Sequence, residues 1–219
     1  MYYNRLARAL RRCSSCAFYD ETFEPLPPEP ATTPTRVMFI GESPSWAENQ
    51  VAPFSPATIS GQALERYYLA PLGLSRDTVW ITDLLKCRYP AGIYGSKPCH
   101  ENDIHRAVET CVRLWLVHEI ELAQPQIVVT LANQQVYQRV RRLFDLATPT
   151  LFDDAVGRPH AVEFGTHPAI LFPMVHPDIS RPEGDGDNCK LRARRKWATI
   201  HQEQHIPALR RLLAEYEPH

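Results

Sequence analysis

No stretch of the 219 residues approaches the ~18 uninterrupted apolar residues of a membrane span, although 44% of the chain is hydrophobic. The opening Met1-Tyr2-Tyr3-Asn4-Arg5-Leu6-Ala7-Arg8 lacks the apolar core of a secretory leader, so the expectation is a cytoplasmic protein without a membrane partner. In that reducing setting the six cysteines are expected as thiols or metal ligands rather than disulfides. A formal net charge of −1 supplies no global basic field for nucleic acid. Basic residues are instead clustered: Arg5, Arg8, Arg11 and Arg12; Arg139, Arg141 and Arg142; Arg192, Arg194, Arg195 and Lys196. Each cluster reads either as backbone-phosphate contacts or as a solvated helix face. There is no internal repeat, and the length suits one domain, 1–219, with a sizeable core.

What is present is a pattern of strands alternating with helices. Residues 4–12 form a short basic helix running into Cys13-Ser-Ser-Cys16, whose two thiols on one tight turn can grip one metal centre. Five prolines between 24 and 35 read as an extended, solvent-facing connection. Val37 to Ile40 is a buried strand that Gly41 ends, leaving Glu42 at its C-terminal edge and Phe54 a short loop away. At that edge of an open α/β sheet ligands bind, and a ring beside a carboxylate suits a flat polar heterocycle. A plain turn and a core Phe is the other reading of the same residues.

Gly61 to Leu69 reads as a helix with Leu64 and Tyr68 on one face, and Thr78 to Leu85 as the second strand, with Asp83 near its end. Ile104 to Ala123 is the clearest helix, its apolar face read as Ala107, Cys111, Leu114, Val117 or His118, and Leu122. Ile127 to Leu131 is a buried parallel strand. Beyond it come a helix over about 133–145, extended segments at Ala161–Phe164 and Ala169–Val175, a polar stretch at 182–189 and a helix over about 190–216. Together these predict an α/β fold, a three-layer α/β/α sandwich with a mainly parallel four-stranded central sheet. Residues 1–35 carry the N-terminal helix, the Cys pair and the Pro-rich connection; 36–180 form the core; 181–219 hold the polar loop and last helix.

Taken in order, the motifs resemble the uracil-DNA glycosylase superfamily, closest to its iron–sulfur branch, family 4. Gly41-Glu42-Ser43-Pro44-Ser45 is similar to that branch's Gly-Glu-Ala-Pro-Gly, and Pro53-Phe54 with Gly61 to its Pro-Phe-Val-Gly and following Gly. Asp83-Leu-Leu-Lys86-Cys87-Arg88-Tyr89-Pro90 is similar to its Asn-x-x-Lys-Cys-Arg-Pro-Pro, and His176-Pro177-Asp178 to its closing His-Pro motif. The resemblance implies a structural [4Fe–4S] cluster on Cys13, Cys16, Cys87 and Cys111. Zn is the alternative for the same donors, Cys99 competes with Cys111, and Cys189 is left free.

The resemblance further implies a monomer acting on DNA in base-excision repair. It hydrolyses the N-glycosidic bond of uracil or another deaminated or modified base after the nucleotide is flipped out of the stack. Phe54 would stack on the base, with Gly41, Ser43 and Asp83 completing the base site. His176 would stabilise charge on the leaving base, and Glu42 would position water. Asp83 departs from the family's Asn. An amide accepts from uracil N3–H and donates to O4, whereas an ionised carboxylate only accepts. Either burial keeps Asp83 protonated, or the pocket takes a base with an exocyclic amine such as cytosine, or Asp83 faces elsewhere. The loop from Cys87 to Cys111 is also longer than in the branch, with Lys97, Cys99, His100 and His105 in or just after the extra segment. It reads as a surface insertion, and alternatively as the source of a His that traps the sugar covalently. The rival in another class is a fold-retaining DNA-binding module that does not turn over.

Overall fold

The computed structural model describes residues 2–19, 21–32, 36–45, 50–89, 101–131, 134–179 and 196–216. Cys99, Cys189, Lys97, His100, Arg192, Arg194, Arg195 and the 182–189 stretch lie outside them. Five strands form one sheet: β1 (Val37–Gly41), β2 (Trp80–Asp83), β3 (Ile127–Leu131), β4 (His160–Phe164) and β5 (His167–Met174), in the order β2-β1-β3-β5-β4. β2, β1, β3 and β5 run parallel, and β4 pairs antiparallel with β5. The sequence reading of four strands is thus one short. The segment at 160–164 returns as a hairpin through Gly165, whose φ of 67° suits the turn, and adds an antiparallel edge.

Alternation along β1 defines the layers. Met38 and Ile40 face one apolar core with Val128 and Leu171, while Val37 and Phe39 face the other with Val129 and Phe172. The first core is covered by α3, a continuous helix of Glu101–Cys111, the wide π-turn Val112–Leu116 and Val117–Ala123, and by α4 (Gln134–Leu143). The second is covered by α2 (Ile59–Leu64, continuing through Glu65–Leu69 and Ala70–Leu72) and by the last helix. The latter, labelled α6, runs through 196–200, His201–His205 and Ile206–Glu215. A short α5 (Phe152–Ala155) and the N-terminal α1 (Tyr2–Arg11) join them.

Two readings of local structure are corrected. In α3 the buried face is Ala107, Val108, Cys111, Val112, Leu116, Glu119 and Ile120, while Leu114 and Leu122 are exposed. The π-turn takes one extra residue per turn, so the face steps from Cys111 to Leu116 and a constant 3.6-residue period falls out of register. The Pro-rich connection is also not solvent-facing: Pro25 to Pro28 are buried. It runs beside β2, with Leu26 N donating to Lys86 O at 2.8 Å and Glu29 and Ile81 exchanging backbone bonds at 2.8 and 2.9 Å. Prolines, lacking N–H, fit such an edge and blunt it against further pairing.

On the opposite side of the sheet, α6 buries His201 and His205. His201 Nε2 lies 2.9 Å from Tyr67 O, and the Nδ1 atoms of both rings have no partner among the described residues. Burial holds both imidazoles down at about 4. The unfolded chain therefore binds more protons than the folded one between pH ~6.5 and ~4, and this contribution to stability is complete above 6.5 and lost as pH falls. Chemical denaturation from pH 7.5 to 5 is expected to show a smaller acid loss of stability, by about 4 kcal/mol for the two imidazoles together, in a His201→Gln/His205→Gln variant than in wild type. Equal slopes would remove this pair from the acid response.

Candidate functional site

At the C-terminal ends of β1, β2 and β5 lies a cavity of about 280 Å³ whose walls include Glu42, Ser43, Phe54, Asp83, Tyr89 and His176. Register explains the first two positions. Gly41 pairs with Asp83 across β1 and β2, and a Cβ on Gly41 would sit 2.2 Å from Asp83 Oδ1 and 2.4 Å from the Phe54 ring. Gly41 therefore acts by leaving space rather than by lining the cavity. A wider hollow of about 820 Å³ between Gln126, Phe144 and Pro168 lies at the opposite end of the sheet, away from these groups.

Phe54 is held in an uncommon backbone state, φ 49°. Arg76 explains how: its Nη1 and Nη2 donate to the carbonyls of Phe54 and Pro53 at 3.0 Å, while its Nε and Nη2 grip Glu29 at 2.8 and 2.5 Å. The Phe54 and His176 rings stand 5.9 Å apart, tilted by 38°. His176 Nδ1 accepts from the Asp178 backbone N–H at 3.2 Å, leaving Nε2 as the nitrogen that carries hydrogen in the neutral ring. Burial lowers the His176 pKa, against the attraction of Asp178 and Glu42. Tyr68 Oη on Val175 O (2.6 Å) and Ser60 Oγ on Asp178 (3.1 Å) pin this loop to α2.

Asp83 is 2% exposed and faces the cavity, so the reading in which it points elsewhere is set aside. Its Oδ2 has no partner among the described residues. Burial pushes its carboxyl up to about 7, against the pull of Lys86. Lys86, which the sequence offers only as part of a motif, is itself buried. Its Nζ meets Thr82 Oγ1 (2.6 Å), the Asp83 carbonyl (2.6 Å) and Glu119 (2.7 Å), and Thr82 Oγ1 donates to the other Glu119 oxygen at 2.7 Å. A sequence signal for this pair exists: a Lys inside Leu84-Leu85-Lys86-Cys87 and a Glu on a helix face that the π-turn brings inward.

Glu42 is less open than expected. Its Oε1 accepts from Tyr89 Oη and from Arg139 Nη1, each at 2.6 Å, and Arg139 Nη1 is 2.9 Å from Tyr89 Oη. Arg139 therefore turns inward from the middle Arg cluster, while Arg141 bonds the Thr148 carbonyl at 3.0 Å. Arg5, Arg8 and Arg12 of the first cluster are exposed. His105 is exposed on the first turn of α3 and does not line the cavity.

Cys13, Cys16, Cys87 and Cys111 line a second, small cavity between the turn after α1, the loop after β2 and α3. The Lys86 N–H points at Cys111 Sγ at 3.4 Å. A hydrogen bond from Cys87 holds Cys16 down at about 6 and pushes Cys87 up, while burial pushes Cys111 up to about 12. Cys87 and Cys111 become thiolates only against added positive charge, of the kind a metal centre supplies. Among the described residues no three donors close on one point to grip a single ion.

No helix among the described residues is long and apolar enough to cross a membrane. A model of the uracil DNA glycosylase superfamily matches residues 28–198. Three curated relatives are named type-4 uracil-DNA glycosylase. The protein of Saccharolobus solfataricus is 26% identical over 178 residues, covering 78% of this chain and 74% of its own. That of Sulfurisphaera tokodaii is 27% identical over 169 residues, covering 75% and 69%. That of Archaeoglobus fulgidus is 28% identical over 173 residues, covering 78% and 79%. With a match spanning most of its length, from residue 28 in the Pro-rich connection to the start of α6, the chain belongs to the uracil DNA glycosylase superfamily.

Proposed function

We propose that this chain is a DNA glycosylase that hydrolyses the N-glycosidic bond of uracil flipped out of DNA, with residues 1–219 working as one domain and as a cytoplasmic monomer. The observation that carries the reading is the convergence of Glu42, Phe54, Asp83 and His176 on one cavity large enough for a single heterocycle. Phe54 offers its face to the extruded base, and Gly41 and Ser43 shape the floor. As the C1′–N1 bond breaks, its electron pair leaves with the base. The Nε2–H of neutral His176 then stabilises the charge that develops on the base's carbonyl oxygen, as a preorganised neutral donor. Glu42 orients water, whose oxygen bonds to C1′ as it gives up a proton that ends on the departing base anion, and the negative charge of Glu42 offsets that of the cation-like sugar. The products are free base and an abasic site.

Asp83 reads the base edge as a neutral acid: its hydroxyl donates to O4 and its carbonyl accepts from N3–H. The same acid can donate to cytosine N3 and accept from the exocyclic amine, which keeps cytosine within reach of the site. Ionisation removes the donor and adds lone-pair repulsion, a loss of about 1–3 kcal/mol. Because burial raises this carboxyl to about 7, the neutral form predominates below that pH and is lost above it.

Cys13, Cys16, Cys87 and Cys111 would hold a [4Fe–4S] centre, which when bound supplies a covalent cross-link between α1, the post-β2 loop and α3 and takes no part in hydrolysis.

Three measurements test these assignments. On uracil-containing oligonucleotides, Glu42→Gln is expected to lower single-turnover release of base by about 10²–10⁴-fold, and an unchanged rate would remove Glu42 from the chemistry. Uracil release by wild type should decline as pH rises through about 7, whereas Asp83→Asn should be flat there and faster at pH 8.5. Matching profiles would show that position 83 does not read the base. Anaerobically purified protein should contain iron and sulfide in equal amounts. Cys111→Ser should lose both together with thermal stability, while Cys99→Ser keeps them; zinc in their place would overturn the cluster.

A further inference from the structure

Resting on that reading of the site, we propose that Arg139 and Tyr89 form a clamp that fixes the Glu42 carboxylate for hydrolysis. Arg139 is then a positioning residue rather than a DNA-phosphate contact. The three groups close a triangle of 2.6, 2.6 and 2.9 Å, although Glu42 and Arg139 lie 97 positions apart in the chain. Tyr89 has a single hydroxyl hydrogen. It donates that hydrogen to Glu42 Oε1 and accepts from Arg139 Nη1, while Arg139 also donates to the same Oε1. Both lone pairs of Oε1 are thereby spent, which leaves Oε2 as the oxygen available to a water in the cavity.

Burial separates this arrangement from a phosphate contact. The Arg139 side chain is 16% exposed and that of Glu42 22%, in contrast to the open Arg5, Arg8 and Arg12. A guanidinium with its charge turned inward on a carboxylate has little left to offer a phosphate. Its cost is partial neutralisation of Glu42, and its gain is a fixed direction for the remaining oxygen.

The clamp is also anchored. Tyr89 lies two residues beyond Cys87 and is buried, its ring packed edge-on against Phe18 at 5.7 Å. Phe18 in turn lies two residues beyond Cys16. The hydroxyl that holds Glu42 is therefore carried on a ring wedged between two segments of the cysteine cavity, and α4 supplies the cation from the other side.

The test uses the full chain and a uracil oligonucleotide. Arg139→Met is expected to lower kcat by about 10–100-fold with KM within threefold and the dependence of kcat/KM on salt unchanged. Arg139→Lys should recover part of the loss, Tyr89→Phe should share it, and Arg139→Met should add nothing in a Glu42→Gln background. A raised KM with kcat retained, and a log–log salt slope smaller by about 0.7–0.9, would make Arg139 a phosphate contact and overturn the clamp. A readout independent of turnover separates this from failure of the glycosylase reading. Melting-temperature losses of Glu42→Gln and Arg139→Met should be clearly less than additive in the double variant, and strict additivity would overturn the clamp even in a protein that releases no base.

Discussion

Where β1 ends, two groups crowd the space that one methyl would fill. A side chain at position 41 would press on the Asp83 carboxyl and the Phe54 ring at once, so glycine there lets that carboxyl and that ring approach the same stretch of backbone. The parallel pairing of Gly41 with Asp83 makes that approach unavoidable, and the β1 and β2 chains stay paired beyond it through Leu84 N on Gly41 O and Leu85 N on Glu42 O, each at 3.0 Å. A second glycine repeats the device: a Cβ on Gly61 would meet the Ser55 and Phe54 carbonyls at 2.0 and 2.4 Å. Phe54 is thus packed from two sides, and Arg76 on its carbonyl holds its left-handed backbone in place.

Below that floor lies a buried charge pair that sets the electrostatics of the cavity. Lys86 and Glu119 are both nearly inaccessible, an arrangement stable only where the hydrogens of the ammonium are satisfied. Here Thr82 Oγ1 and the Asp83 carbonyl accept two of them, and Glu119 Oε1 supplies the countercharge at 2.7 Å. Because Lys86 is engaged with Glu119, it offsets only part of the burial cost of an ionised Asp83, and burial prevails. The pair thus fixes the backbone of Asp83 while its Oδ2 is left without a partner among the described residues.

These particulars separate what is legible in the sequence from what is not. The sheet's inner strands announce themselves because Val37–Gly41 and Ile127–Leu131 are continuous apolar runs, and the four pocket residues because each sits just past a strand end or a turn former. The face of α3 escapes a periodicity reading because one π-turn displaces every later residue, a change with no signature in composition. The antiparallel edge reads as an extended segment at Ala161–Phe164, but a half-exposed strand of that kind does not declare that it joins the sheet. Clamps made by long side chains across the fold, such as Arg139 on Glu42 or Arg76 on Phe54, depend on which rotamer reaches which neighbour. Sequence gives the charge but not its direction, so Arg139 reads equally well as a solvated cation.

The N-terminal arm explains why a cysteine centre belongs in this fold. α1 buries only Ala7 and Leu10, too little apolar surface by itself to order the residues that precede β1. The rest of the arm is nonetheless structurally needed: the Pro-rich connection covers the free edge of β2, and Glu29 holds Arg76 against the Phe54 loop. A cross-link from Cys13 and Cys16 to Cys87 and Cys111 would supply the missing anchorage at the point where the arm meets the post-β2 loop. It would also fix the segment carrying Tyr89. Such a centre would act mechanically, by holding the arm whose Glu29 braces Arg76 and the Phe54 loop on one side and the segment whose Tyr89 hydroxyl holds the Glu42 carboxylate on the other.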